Sequence, residues 1–541
     1  MVRRRSVIAA AACLLLLLLA PTAGAKPGNG AAQAPVVDLQ ILSFNDFHGQ
    51  LEPYSDTLGG AAYLAAYLRD LEATARNTVI VSGGDLIGAS PLTSAWFHDE
   101  PTIEAANLMG VDVAVVGNHE FDEGWEELLR MQSGGCHPVD GCQDGDGFDG
   151  ADFPYLAANV IREDTGETLF RPFKIMTFDG VRVAFIGVVL ESAPGIITAS
   201  ATEGLDFLDE AETINYWVER LQKRHIEAFV AVVHEGGTAG CTGAIADIVD
   251  RTDNEVDLFI TGHTHNTYVC SIDGRTVTST KNAGRVFTEI DLTLSRVTKD
   301  VMTVAAVNHE VLRAGVDPAA DVAALIAEYQ TLVAPVANTV IGSITADITK
   351  TVNAAGESAL GDVIADAQLA ATAAADKGAA VIAFTNPGGI RTDILYSKIS
   401  GGEAPGEVTY GEAFSVQPFS NYLTTITMTG AQIDAVLEQQ ALPSKMLQPS
   451  VGFTYSWSAS APAGFRVDPT TIKLNGVTVD PAGTYRVTMN NFLADGGDGF
   501  TAFSLGTDRL DGMVDLDALV AYFGANSPVA PGPQNRITLV P

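Results

Sequence analysis

The sequence predicts an α/β protein made of two parts, and three observations carry that prediction. Between Val36 and Val316, short β-branched or aromatic runs alternate with longer mixed stretches. Several of those runs end in Asp, Asn or His. A helix-like stretch then leads into a second segment with helix and hairpin signals of its own.

At the N-terminus, Arg3, Arg4 and Arg5 precede the apolar run Val7 to Ala20, and Ala23-Gly24-Ala25 supplies small residues for cleavage. Residues 1–25 therefore read as a secretory signal peptide, cleaved after about Ala25. The run is shorter than the roughly 18 to 20 residues needed to span a bilayer, so no stable membrane association is expected. The runs Leu39 to Phe44, Thr78 to Val81, Val113 to Val116, Phe229 to Val233 and Leu258 to Ile260 read as buried strands, and Ala61 to Leu71 as a helix.

The acidic, Gly-rich stretch Gly134 to Gly150 breaks this rhythm. As a calcium loop starting at Asp144 it would place Tyr155 where a bidentate Glu is needed, so a disulfide-stapled surface loop is the better reading. Asp317-Pro318 resembles a helix N-cap followed by proline at the first helical position. Val322, Leu325, Ile326, Tyr329 and Val333 then share one face, and Pro335 is expected to end the helix. This divides the chain into a first domain (36–316), a connector (317–337) and a second domain (338–541). In the second, Gly361 to Ala375 reads as a helix, and Asn475-Gly476 as the turn of a hairpin between Thr471 to Leu474 and Val477 to Val479.

Composition narrows the function. The 541 residues hold 31 Lys+Arg against 66 Asp+Glu, a net charge of −35. Sequence-independent nucleic-acid binding needs a basic face, so no nucleic-acid partner is expected. Loss of residues 1–25 removes three arginines and Cys13, leaving 28 basic against 66 acidic residues, a net of −38. Four cysteines remain, which allow three pairings; Cys136–Cys142 and Cys241–Cys270 are favoured because each pair brackets a polar, Gly-rich segment of an exported chain. The expected location is secreted, in the extracellular, cell-wall or periplasmic space, with no obligate protein partner evident.

The chemistry lies at the strand ends. Asn45, Asp46 and His48 follow the first strand and Gly83-Gly84-Asp85 the second. Gly117-Asn118-His119-Glu120-Phe121-Asp122 follows the third, His234-Glu235 the fourth and Gly262-His263-Thr264-His265 the fifth. Open α/β sheets place their ligand crevice at the carboxyl ends of strands, and five of the nine histidines lie in these segments. Imidazole and carboxylate donors in this number suit two adjacent divalent cations such as Zn or Mn, with one Asp bridging.

These five segments, in this order and spacing, resemble the metallophosphatase superfamily, and within it the secreted 5'-nucleotidase family, which includes UDP-sugar hydrolases and cyclic-nucleotide phosphodiesterases. The resemblance implies a four-layer α/β/β/α catalytic domain joined by a helix to an α+β substrate-binding domain. It implies that Asp46, His48 and His265 hold one metal and Asn118, His234 and His263 the other, with Asp85 between. His119 would then be the catalytic donor, oriented by Asp122.

Two later segments extend the likeness. Asn386-Pro387-Gly388-Gly389-Ile390-Arg391 matches a loop whose arginine contacts phosphate and whose asparagine contacts the base. Asn491 to Phe500 matches a segment that supplies an aromatic, here Phe492, and an acid for the ribose, here Asp498; Phe419 would be the opposing ring. The family's arginine ahead of the Gly-Glu-Ser segment is missing from Thr351 to Asp362, and Asp362 replaces an Asn. The implied function is hydrolysis of nucleoside 5'-monophosphates, a small-molecule substrate. The rivals are 2',3'-cyclic nucleotides or UDP-sugars at the same metal site, or a non-catalytic surface binding protein.

Overall fold

The computed structural model describes residues 35–442 and 444–540, so the signal-peptide reading lies outside the described residues. Val36 to the C-terminus forms one compact unit. Besides a small pair, Val160–Arg162 with Leu205–Phe207, the first half holds the strands of its two main sheets: β1 (Val36–Phe44), β2 (Thr78–Ser82), β3 (Val113–Val115), β4 (Tyr155–Leu156), β5 (Phe173–Phe178), β6 (Val181–Val189), β7 (Ala228–His234), β8 (Leu258–Thr261), β9 (Tyr268–Ile272), β10 (Arg275–Ser279), β11 (Val286–Ser295) and β12 (Val301–Glu310). They form two six-stranded sheets, ordered β12-β11-β1-β2-β3-β4 and β9-β10-β8-β7-β6-β5. The central strands β1, β2, β3 and β4 run parallel, as do β6, β7, β8 and β10, while the outer strands pair antiparallel.

Strand alternation explains the layering. On β1, Val37, Leu39 and Ile41 meet Val183, Phe185, Val230 and Ile260 of the other sheet, while Leu42 and Phe44 point the opposite way. There they pack on Leu64, Leu68, Ile103 and Met109 from helices Ala61–Glu72 and Glu100–Met109. The far face of the second sheet, with Phe229 and Val233, is covered by Ile214 and Val218 of helix Glu210–Gln222 and by Ile245 of helix Ala244–Arg251. The result is helix, sheet, sheet, helix, and the central strands are buried on both faces, which is why they read as continuous apolar runs.

The second half is a mixed sheet ordered Gln448–Pro449, Ile382–Thr385, Thr484–Asn490, Tyr422–Thr429 and Thr507–Val514, with helix Ala359–Thr372 against it. The Asn475-Gly476 hairpin forms as expected, pairing Lys473 with Thr478 and Leu474 with Val477, with both turn residues at positive φ (50° and 79°).

Helix Ala320–Ala337 joins the halves, but its ends differ from the expectation. It starts at Ala320 with no side-chain cap; Ala319 N–H instead donates to Ala62 O (2.9 Å), and Asp321 takes a bidentate pair with Arg69. Pro335 falls inside the last turn and does not stop the helix, because Asn338 N–H still reaches Ala334 O (3.0 Å). Tyr329 and Val333 join Leu92 and Phe97 of the first half and Val408, Phe414 and Leu516 of the second in one buried cluster.

Both favoured cysteine pairs are joined, Cys136 to Cys142 and Cys241 to Cys270, with Cα separations of 4.7 and 6.5 Å. Among the described residues no helix is long and apolar enough to cross a membrane.

Candidate active site

Because the central strands run parallel, their carboxyl ends lie along one edge, and the five donor-bearing loops meet there. Asp46, His48, Asp85, Asn118 and His234 are all buried. Asp46, His48 and His265 form one convergent set and Asp85, His234 and His263 a second, with Asp85 also reaching His48 and His119. His234 Nε2 lies 3.2 Å from Asp85 Oδ2, and His48 Nε2 lies 3.8 Å from the same oxygen. Asn118 Oδ1 faces His263 Nδ1 (2.9 Å) and His234 Nε2 (3.3 Å). His48 Nδ1 and His234 Nδ1 each donate to a backbone carbonyl, of Gly88 (3.0 Å) and Gly83 (2.8 Å), which leaves both Nε2 atoms facing inward as a metal requires.

Backbone conformation serves the same end. Asp46, His48, Asp85, His263 and His265 all adopt positive φ, between 50° and 68°, a costly conformation that concentrates at functional sites. Gly117 is required by close approach: a Cβ there would overlap Asp85 Oδ1.

Electrostatics divides the donors: burial pushes Asp46 up to about 7 and, against burial, Asp85 raises His234 to about 10, so a cation has to displace the proton on His234. Burial holds His263 down at about 4 and His265 at about 3, and keeps His48 well below the usual imidazole range, so all three are neutral donors. Burial opposes charge on Asp85, yet His234 and His119 outweigh it and keep the carboxylate ionised. For His119 burial also opposes charge, but Asp122 and Asp85 prevail and raise its pKa. His119 Nδ1 sits 2.9 and 3.1 Å from the Asp122 oxygens, and Asp122 Oδ2 also accepts from Ala89 N–H (2.9 Å).

The second half closes over this edge. A cavity of about 300 Å³ is lined by Asp85, Asn118, His119, Asp122, His263 and His265 from one side and by Asn386, Arg391, Phe419, Phe492 and Asp498 from the other. Asp46, His48 and His234 do not line it but are buried and bonded to residues that do, His48 and His234 to Asp85 and Asp46 to His263 N–H. Phe419 stacks on the His119 imidazole (5.7 Å between centroids, 19°), with the Arg391 guanidinium 5.5 Å from its ring. Asp498 accepts from Asn386 Nδ2 (2.8 Å), and Asn386 Oδ1 accepts from Asn490 Nδ2 (3.1 Å).

Asp362 does not reach the cavity. It is buried beside Arg536 (3.7 Å) and accepts from Gln534 N–H (2.8 Å), so this departure concerns the core of the second half and not a phosphate contact. Sequence reasoning also passed over several contributors. Glu120 is buried and accepts from the N–H groups of Asp85, Leu86 and Gly117, tying the second and third loops together; its place inside Gly-Asn-His-Glu was the available signal. Ile196, Ile197, Thr198 and Asn490 line the cavity, and Lys350 donates to Arg391 O (3.0 Å).

Comparison with known proteins agrees with this two-part site. The family model described as calcineurin-like phosphoesterase matches residues 39–267, and the one described as 5'-nucleotidase, C-terminal domain, matches residues 340–505. The chain belongs to the 5'-nucleotidase family of metallophosphatases. Among its relatives, Endonuclease YhcR of Bacillus subtilis is 33% identical over 96% of this chain and 42% of that protein. Cell wall protein Lmo0130 of Listeria monocytogenes is 33% identical over 87% of this chain and 65% of that protein. The chain thus spans less than two thirds of the length of these two relatives. The crystal structure of a 5'-nucleotidase precursor from Thermus thermophilus superposes with a TM-score of 0.76 at 25% identity, covering 93% of this chain and 99% of that one. These family members share both halves, so the cavity between the halves is the place to look for chemistry.

Proposed function

We propose that this 5'-nucleotidase family member is a dinuclear-metal phosphoesterase that hydrolyses nucleoside 5'-monophosphates to nucleoside and phosphate outside the cytoplasm. The observation that carries this reading is the single cavity lined by the cation-competent donors of one half and by Arg391, Phe419, Phe492 and Asp498 of the other. The donor set fits two divalent cations: Asp46, His48 and His265 for one, Asn118, His234 and His263 for the other, Asp85 between them. Such a pair supplies Lewis-acid stabilisation of phosphate oxygens and acidifies a water.

The rest belongs to the chain's own groups. Arg391 holds phosphate as a guanidinium fork. His119, with Nδ1 tied to Asp122, presents Nε2 as the donor to charge that develops on the phosphoryl or leaving oxygen. Phe492 and Phe419 offer faces for a planar base, at about 1 to 3 kcal/mol per stacked contact. Asp498, positioned by Asn386, accepts from the ribose hydroxyls. Because the chain is strongly acidic overall, an anionic substrate depends on local positive charge: the cations, Arg391 and the neighbouring Lys350. The signal-like start, two disulfides and the cell-wall name of one relative support the location.

Release of phosphate from AMP, of UMP and glucose 1-phosphate from UDP-glucose and of 3'-AMP from 2',3'-cyclic AMP, resolved by chromatography and measured with chelator and with added Mn²⁺ or Zn²⁺, tests the proposal. AMP is expected to be cleaved fastest, only with metal. Faster cleavage of either other substrate would reassign the ester, and no metal-dependent release from any would remove the enzyme reading.

A further inference from the structure

A second group of metal-type donors lies outside the cleft. We propose that His98, Glu123, Glu127 and His137, with Asp140, form a third divalent-cation site of the transition-metal class, Zn²⁺ or a similar ion. One donor atom from each of the first four lies within 4.8 Å of the others. His98 Nδ1 is 2.6 Å from Glu123 Oε2, and His98 Nε2 is 3.0 Å from Asp140 Oδ2. The two imidazoles are stacked at 3.7 Å and 16°. Two carboxylates and two imidazoles thus converge, Asp140 holds both imidazoles from the side (3.0 Å from His98 Nε2, 3.3 Å from His137 Nδ1), and Glu127 alone of the carboxylates is paired with an arginine, Arg130. Imidazole is a ligand for Zn-type ions and not for Ca²⁺, which takes six to eight oxygens, so this donor set selects the former.

Three further features describe a built site. His98 has positive φ (53°), like five donors of the cleft, and Asp99 beside it (62°) is fixed by accepting from Gly88 N–H (3.0 Å) and Ser94 Oγ (2.5 Å). His137 and Asp140 lie inside the loop closed by Cys136–Cys142, so the staple sets their spacing. A cavity of about 650 Å³ is lined by His98, Glu123, Glu127 and Asp140 and also by His119, Asp122 and Phe419 of the cleft, so the cluster borders open space. The cation would join three segments remote in sequence: the turn before helix Glu100–Met109, the start of helix Trp125–Ser133 and the stapled loop.

Zinc content of the full chain, saturated with Zn²⁺ and freed of excess by gel filtration, decides the matter. The double variant His98→Ala/His137→Ala is expected to carry one zinc per chain fewer than the unaltered protein, with the same circular dichroism. That difference of one is the criterion whatever the cleft holds. A variant lacking cleft donors, His48→Ala/His234→Ala, is expected to keep at least one zinc, which separates this site from the proposed dinuclear centre. Equal zinc in the unaltered protein and the His98→Ala/His137→Ala variant overturns the proposal. Should that double variant fail to fold, His137→Gln takes its place under the same criterion.

Discussion

His119 and Glu120 are neighbours with opposite duties. His119 faces the cavity with Asp122 on its Nδ1. His119→Ala is therefore expected to keep its metals and lose kcat by on the order of 10² or more; unchanged kcat in a metal-replete variant would take it out of the mechanism. Glu120 is turned into the protein, where three backbone N–H groups share its carboxylate. Glu120→Gln sets an amide donor against those donors and is expected to cost on the order of 2 kcal/mol in urea melts; a melt like that of the unaltered protein would contradict this role. The cleft donors were legible because strand ends and glycines surround them in sequence. Glu120's partners, Lys350 beside Arg391 and the Ile196 to Thr198 wall were not, since packing between distant segments puts them there.

The elements show the same division. The five strands that deliver donors were legible from β-branched runs, and the Asn475-Gly476 turn from its chemistry. Most strands at the centres of both sheets were visible, but the antiparallel strands β9, β11 and β12 were not, because half-exposed strands such as β12 carry no continuous apolar run. The ends of helix Ala320–Ala337 were misplaced because tertiary bonds to Ala62 and Arg69 set its start. Packing between strands also creates a pH response. Asp257, at the start of β8, accepts from Phe229 N–H of β7 (2.8 Å), and burial with Asp300 and Glu255 nearby pushes its carboxyl up to about 8. Against an unfolded value of about 3.9, the folded protein holds a proton that the unfolded chain has lost, so stability falls as pH rises between those values. Asp257→Asn removes this slope. The Tm of the variant minus that of the unaltered protein is expected to increase from pH 5 to pH 8, and a constant difference would show that Asp257 titrates normally.

At the scale of the whole molecule, two halves with separate sheets share a buried cluster around Tyr329 and Val333 and a cavity between Asp85 and Phe492. The two-part plan was legible in the sequence. How far the second half reaches over the first was not, because no local pattern encodes the stacking of Phe419 on His119. The central claim is that the first half performs the chemistry and the second reads the nucleoside. The most direct measurement compares Phe492→Ala with the unaltered protein on AMP and on a simple aryl phosphate, under saturating metal. The expected result is a KM for AMP raised about tenfold, the loss of one stacked contact, with the aryl phosphate unaffected. An equal effect on both substrates, or none on either, would contradict it.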